Sequence, residues 1–363
     1  MNRIINFNAG PAGLPLPVLE EAQKELVEFR GTGMSIMEHS HRGKAYEAVH
    51  NEAAALFAEL LGLPKSHAVL LLQGGASLQF AMLPMNFLPA GRSADYIVTG
   101  HWAKTAFGEA GKVGTVRKAA DSVGADKVYL RLPKADELSV DSSAAYVHMT
   151  SNNTIFGTQW HSLPDAKGRP LVSDMSSDIL SRPVDAAKHA MIYAGAQKNL
   201  GPSGLTVVAI DREWVKQSRT DIPDILRYQK HLDANSLYHT PPSFGVYLFG
   251  LNLKWIKANG GAAGMETRNK TKADLLYGAL DRLSGFYKAP VEKHSRSWMN
   301  VVFRTPTPEL DDAFCAEAEK AGMTGLKGHR SAGGVRASLY NAVSPDNVKT
   351  LVSFMDDFAK RKG

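Results

Sequence analysis

A single cysteine, Cys315, in 363 residues excludes a disulfide framework. It falls in a helical stripe with Phe314 and Ala318, so a buried thiol in a reducing compartment is the expectation. No apolar run approaches the ~20 residues that a membrane helix requires, and Met1 to Pro11 holds no long apolar core. A soluble, cytoplasmic protein is expected, with no membrane partner. Blocks of like charge are also missing: the net charge is +6 with 21% charged residues, and only the final Lys360-Arg-Lys-Gly363 is locally basic. A nucleic-acid binder should carry a clustered basic face or a recognisable module, and neither is present, so nucleic acid is excluded as a partner. A scattered basic excess instead favours small acidic substrates. There are no repeats or low-complexity tracts, and no metal is expected. What the chain does have is 44% hydrophobic residues and the length for one large domain plus a smaller one.

The most informative stretch is Gly195-Ala-Gln-Lys-Asn-Leu-Gly-Pro-Ser-Gly204. The apolar run 190–194 leads into it and 205–210 leads away, which puts Lys198 on a strand-to-strand turn. Three glycines and a proline hold that backbone close to whatever it faces and leave Lys198 as its only cation. A lysine so placed can form a Schiff base, or it can be solvated on a surface hairpin. Asp174, which ends the apolar run 170–173 and precedes Ser176 and Ser177, adds a carboxylate at a neighbouring strand end. Lysine with strand-end aspartate is the pairing used by pyridoxal phosphate enzymes, where the aspartate keeps the pyridine nitrogen protonated; a buried ion pair is the alternative.

Taken in order, residues 5–17 read as extended and turn-rich. A first helix is expected from about Pro17 to Gly31, then a loop bearing His39, His41 and Arg42, then a helix from Tyr46 to Leu60 that stops at Gly62. Residues 68–72 read as a buried strand that runs through Gly74-Gly75-Ala76-Ser77 into a helix whose bare first-turn amides could seat a phosphate. Strands are also expected at 96–99, leading to Trp102, at 128–132, and at 146–150, leading to Thr154. Strands alternating with helices between 68 and 210 predict a mainly parallel sheet with helices on both faces. Ligands gather at the carboxyl ends of such strands, which is where Ser77, Trp102, Thr154 and Asp174 all fall. Beyond 240, helices are expected near 246–258, 263–283 and 310–320, strands at 300–304 and 335–339, and a last helix capped by Ser344 with Pro345 at its first position. Two basic clusters, His329-Arg330 and Arg336, flank a short loop.

These motifs together resemble the phosphoserine aminotransferases, pyridoxal phosphate enzymes of fold type I and aminotransferase class V, over essentially the whole chain. The segments that carry the likeness are Asn6-Phe-Asn-Ala-Gly-Pro11, Met37-Glu-His-Ser-His-Arg-Gly43, 195–204, His239-Thr-Pro-Pro242, Lys327-Gly-His-Arg330 and Gly334-Val-Arg-Ala-Ser338. The resemblance implies an α/β fold: a large domain over 1–258 with a mainly parallel sheet flanked by helices, and a smaller C-terminal α+β domain over 259–363 on which residues 1–16 pack.

The resemblance also implies roles. Lys198 would hold the cofactor, Asp174 would pair with its ring nitrogen, Trp102 would stack on the ring, and Thr154 would bond its phenolic oxygen. The phosphate would sit on the amides of Ala76 and Ser77 and on Gln197, with His239 and Thr240 reaching in from the partner of a homodimer that shares its active sites. Arg336 would clamp the substrate α-carboxylate, Ala9 would line the substrate site, and His41, Arg42, His329 and Arg330 would receive the distal phosphate or carboxylate. The implied reaction moves an amino group between glutamate and 3-phosphooxypyruvate, giving phosphoserine and 2-oxoglutarate for serine biosynthesis; 4-phosphooxythreonine for pyridoxine biosynthesis is a further candidate product. Two residues depart from the common pattern, Ala76-Ser77 for Gly-Arg and His239 for Asn. The competing readings are an alanine–glyoxylate aminotransferase, a cysteine desulfurase, and a non-catalytic pyridoxal phosphate-binding protein.

Overall fold

A computed structural model describes residues 3–124 and 126–363. Strand β1 (Ile5–Asn6) and helices α1 (Leu16–Lys24) and α2 (Lys44–Leu61) lead into β2 (His67–Leu72), α3 (Gly75–Phe87), β3 (Ser93–Val98), α4 (His101–Gly111), β4 (Thr115–Asp121) and β5 (Val147–Thr150). A small hairpin, β6 (Asn152–Asn153) and β7 (Thr158–Gln159), precedes β8 (Leu171–Asp174), β9 (Met191–Gly195) and β10 (Thr206–Asp211). Then come α5 (Arg212–Val215), α6 (Tyr228–Asp233), α7 (Ser243–Ala258), α8 (Gly261–Arg282), β11 (Asn300–Phe303), α9 (Pro308–Lys320), β12 (Met323–Thr324), β13 (Val335–Ser338) and α10 (Pro345–Lys362).

The main sheet has the order β2-β10-β9-β8-β5-β3-β4. Strand β10 is antiparallel to both of its neighbours and the other pairings are parallel, so six strands share one direction. The continuous apolar runs follow from burial on both faces. In β10, Val207 and Ala209 pack into the core under α1, α2 and α7, while Val208 and Ile210 pack into the core under α3 and α4. The fold is therefore the α/β architecture expected, with helices on both faces of a mainly parallel sheet.

Three expectations are corrected. Residues 128–132 form no strand: Leu130 O accepts from Glu292 N (3.0 Å), Leu132 N donates to Ser295 Oγ (3.0 Å), and Arg131 pairs with Glu137, so these backbone groups serve a loop rather than a ladder. The first helix stops at Lys24. Past it Glu25 is held by Arg30 (3.1 Å) and by the Tyr247 hydroxyl (2.7 Å), Arg30 takes φ 49°, and Phe29 N bonds Met34 O (3.0 Å) across a turn. Cys315 is half-buried rather than buried, though burial still pushes its thiol up to about 11.

A separate core joins α8, α9, α10, β11 and β13, and it includes Phe7 from the N-terminal segment. Strand β1 pairs in parallel with β12, with Ile5 opposite Met323 and Asn6 opposite Thr324. Helix α10 begins as its sequence demands, with Ser344 Oγ accepting from Asn347 N at 3.1 Å and Pro345 at the first position. Among the described residues no helix is long and apolar enough to cross a membrane.

Candidate active site

Five of the six co-directed strands deliver one functional segment each at the same sheet edge: β2 leads to Ala76 and Ser77, β3 to Trp102, β5 to Thr154, β8 to Asp174, and β9 to Gln197 and Lys198. These seven residues line one cavity of about 100 Å³, together with Gly75, Phe80, Thr150, Asn152, Ser176 and Ser177. The co-direction of the strands is what brings together residues scattered over more than a hundred positions.

Lys198 donates from Nζ to Thr154 Oγ1 at 2.9 Å, and its ammonium lies 5.8 Å from the centre of the Trp102 ring. Burial brings the amine down to about 8; the Asp174 charge opposes that change and the Arg336 charge adds to it. Gly10 crosses directly over the lysine stem. A Cβ there would stand 3.1 Å from Lys198 Cγ, and its φ of +141° suits glycine alone, which explains the glycine in the 6–11 motif.

Asp174 is buried at its strand end. Its Oδ1 accepts both Ser176 N (3.0 Å) and Ser176 Oγ (2.7 Å). Burial raises its pKa, while the Ser176 donors and the Lys198 charge hold it back. Behind it lies a second buried carboxylate, Asp178, which accepts from Ser151 Oγ and from Gln159 Nε2 (3.1 Å); Ser151 also donates from N (2.9 Å) and Oγ (3.1 Å) to the Asp174 carbonyl.

At the first turn of α3, Gly74 (φ +82°) and Gly75 (φ +64°) turn the chain so that the amides of Gly75, Ala76 and Ser77 have no acceptor among the described residues. Amides at a helix start with the dipole behind them form an anion seat. Arg336, on β13, donates to the Thr154 carbonyl at 3.3 Å, and its Nε is buried without an acceptor. His329 stands with its ring 5.9 Å from that of His101, and its Nδ1 meets Ser331 Oγ at 2.8 Å. Partial burial first, then the charges of Arg336, His101 and Arg330, lower its pKa. The Ala9 carbonyl accepts from the Tyr340 hydroxyl at 2.7 Å, which ties the N-terminal segment to the residues just past the strand that carries Arg336.

Eight expected residues do not line this cavity: Ala9, His329, Arg330 and Arg336, and also His41, Arg42, His239 and Thr240. His41 and Arg42 lie on the loop before α2, with Arg42 exposed. His239 Nε2 meets Gln73 Oε1 at 2.7 Å, and Gln73 Nε2 donates to the Thr240 carbonyl at 3.2 Å, so this pair sits against the β2–α3 turn of its own chain. Sequence reading missed Thr150, Asn152, Phe80 and Asp178. Asn152 had a signal in the Ser151-Asn-Asn run past a strand end; Phe80 and Asp178 read as ordinary helix and turn residues.

The residues present fit pyridoxal phosphate on two observations. Three helix-start amides without acceptors answer its phosphate, and a buried carboxylate and an amine near 8 answer its ring nitrogen and its aldehyde. Comparison with known proteins agrees. A phosphoserine aminotransferase from Herpetosiphon aurantiacus is 54% identical over 99% of this chain and 99% of its own. The solved phosphoserine aminotransferase of Bacillus circulans subsp. alkalophilus superposes with a TM-score of 0.97 at 52% identity, covering 99% of both chains. The pyridoxal phosphate-bound phosphoserine aminotransferase of Trichomonas vaginalis gives 0.93 at 36% identity, over 98% of this chain and 100% of that one. The family model for class V aminotransferases matches residues 4–351, and the chain belongs to that family.

Proposed function

We propose that the protein is a phosphoserine aminotransferase that exchanges an amino group between glutamate and 3-phosphooxypyruvate, with pyridoxal phosphate held at Lys198. The observation that carries this reading is the convergence of Lys198, Asp174 and the α3 amides on one cavity, with Arg336 bonded to the carbonyl of its Thr154, His329 beside His101, and the Arg330 charge acting on His329. Bound there, pyridoxal phosphate supplies an aldehyde that condenses with amines and a ring that draws electrons from the bonds at the substrate α-carbon. The α3 amides, with Ser77 and Gln197, hold its phosphate. Asp174, fixed by Ser176, presents a carboxylate to the ring nitrogen, and Trp102 covers a ring face. Arg336 takes the α-carboxylate and so orients the α-proton toward the amine. Lys198 is placed to take that proton as general base and to return it as general acid two atoms away, on the far side of the nitrogen, a role suited by a pKa brought down to about 8.

His329 and Arg330 supply positive charge for the distal phosphate or carboxylate. Arg330 has no acidic partner among the described residues, and an anion there would reverse the depression of His329. An alanine–glyoxylate reaction would leave this cluster without a ligand. A desulfurase needs a mobile nucleophilic thiolate, and Cys315 sits in α9 with its thiol pushed up to about 11.

The active site is completed by a second copy of the chain. Leu16, Leu26, Val27, Met34 and Met37 are exposed along the segment that carries His41 and Arg42, and those two residues together with His239 and Thr240 have no place in their own cavity. The separate core of α8 to α10 with Phe7 supports a division into residues 1–258 and 259–363, with the N-terminal segment packed on the smaller part. A cytoplasmic location suits a biosynthetic reaction on small anions.

The test is a half-reaction. Phosphoserine added to the cofactor-loaded protein should shift the visible absorption of the cofactor and release 3-phosphooxypyruvate, and 2-oxoglutarate should restore the spectrum. A protein that exchanges with alanine and glyoxylate and ignores phosphoserine would overturn the reading.

A further inference from the structure

The opposite edge of the main sheet carries a second cluster of positive charge. Arg92 immediately precedes β3, and Arg169 and Pro170 immediately precede β8, so they stand at the amino ends of strands whose carboxyl ends lead into the active site. Arg92, Arg169 and Arg219 line one cavity of about 210 Å³, with Trp214 and Phe87 as an apolar wall and the Gln217 amide at its side.

The charges there do not balance. Arg219 is matched by a two-pronged pair with Asp221 (2.9 and 2.8 Å). Arg92 is spent on neutral acceptors, the carbonyls of Ser143 (2.9 Å) and Ala144 (2.9 Å), which orient its guanidinium and leave its charge uncompensated. Arg169 is half-buried, its Nε is buried without an acceptor, and among the described residues neither it nor Arg92 has a carboxylate within 4.0 Å. Three cations thus face one anion around a preformed space. A half-buried guanidinium with no carboxylate beside it is costly unless an anion offsets its charge, and its planar fork matches the tetrahedral oxyanion of a phosphate. Trp214 stacks on Phe87 with ring centres 3.7 Å apart, which fixes the apolar wall and limits the site to a small ligand.

We propose that this cavity is a binding site for a small phosphoryl dianion, held between Arg92 and Arg169 and separate from both the cofactor seat and the substrate site. The inference stands apart from the proposed reaction, because none of the residues lining this cavity is placed in that mechanism.

Inorganic phosphate is the probe. Titration calorimetry on the cofactor-loaded protein, with potassium chloride at matched ionic strength as the control, should reveal phosphate binding beyond the site at which phosphate competes with phosphoserine. In Arg169→Gln that additional binding should weaken at least tenfold, while cofactor content, turnover and the constant for competitive inhibition by phosphate stay unchanged. Arg92→Gln alters an exposed side chain and should give the same result, so it carries the test alone if Arg169→Gln does not fold. Displacement of the bound phosphate by glycerol 3-phosphate would assign the site to monoesters, and failure to displace it would assign the site to free phosphate. The proposal is overturned if wild type binds phosphate only where phosphoserine competes, or if the folded variants bind as wild type does.

Discussion

At the scale of single residues, Lys198 offers the most direct test, because its environment sets the pH at which it can react. Its folded-state pKa is lowered to about 8, so the neutral amine accumulates as pH rises through that value. Covalent capture of pyridoxal phosphate by the cofactor-free protein should therefore speed up about tenfold per pH unit below 8 and level off above it. Two charges modulate the midpoint in opposite senses. The Arg336 charge lowers the lysine pKa, so Arg336→Met should move the midpoint up; the Asp174 charge raises it, so Asp174→Asn should move it down. Stopped-flow absorbance across pH checks both, and a midpoint unmoved in the two variants would sink the electrostatic account. The same arginine separates binding from selectivity. Arg336→Met should cost about 2–5 kcal/mol in kcat/KM for glutamate and phosphoserine alike, since both carry an α-carboxylate. Arg330→Ala should raise the phosphoserine KM by about tenfold or more and the glutamate KM by less, because a dianion loses more than a monoanion when a neighbouring cation is removed.

At the scale of elements, the turn from β2 into α3 explains why the anion seat requires its glycines. A Cβ on Gly74 would stand 2.6 Å from Leu78 Cβ at a φ of +82°, whereas a Cβ on Gly75 would meet nothing within 4 Å at +64°. Left-handed backbone costs an ordinary residue about 1–2 kcal/mol, and asparagine tolerates it best. Gly74→Ala should thus weaken cofactor affinity about tenfold or more and lower the Tm, while Gly75→Asn should come close to wild type; fluorescence titration of the cofactor-free protein reads both. The legibility of the elements follows the same physics. Strands β2, β8, β9 and β10 could be read from sequence because burial on two faces makes continuous apolar runs. Strand β4 could not, since it is the edge strand, with Arg117 and Lys118 in Thr115-Val-Arg-Lys-Ala-Ala-Asp121. The run 128–132 looks like a strand locally and is claimed by tertiary partners, Glu292 and Ser295, that no local pattern announces. In the site, the residues legible in the sequence were those directly past strand ends. Asp178 and Asn152 act through hydrogen bonds to other side chains, and such partners lie far off in sequence: Asn152 Nδ2 reaches Asn300 Oδ1 at 2.7 Å.

At the scale of the whole molecule, the question is whether one chain can make a working site. His239 and Thr240 rest against Gln73, at the turn that opens onto the α3 anion seat, but they do not line the cavity beside Lys198. Pro241 keeps Thr240 extended, so the pair can face a neighbouring subunit. If a second copy receives them, defects on different chains should complement. A Lys198→Ala subunit is mixed with a subunit carrying His239→Ala and Thr240→Ala, each parent being inactive or nearly so. In the hybrid dimer one site collects every defect. The other site takes its lysine from one chain and its anion donors from the other, and is intact. Activity should return as subunits exchange, approaching half of the wild-type value per hybrid. Donors acting within their own chain would leave no intact site and no recovery. The same mixture made with Arg42→Ala in place of the double change tests the loop before α2 by the same logic. Recovery with one partner and not the other would show which of the two segments crosses the interface.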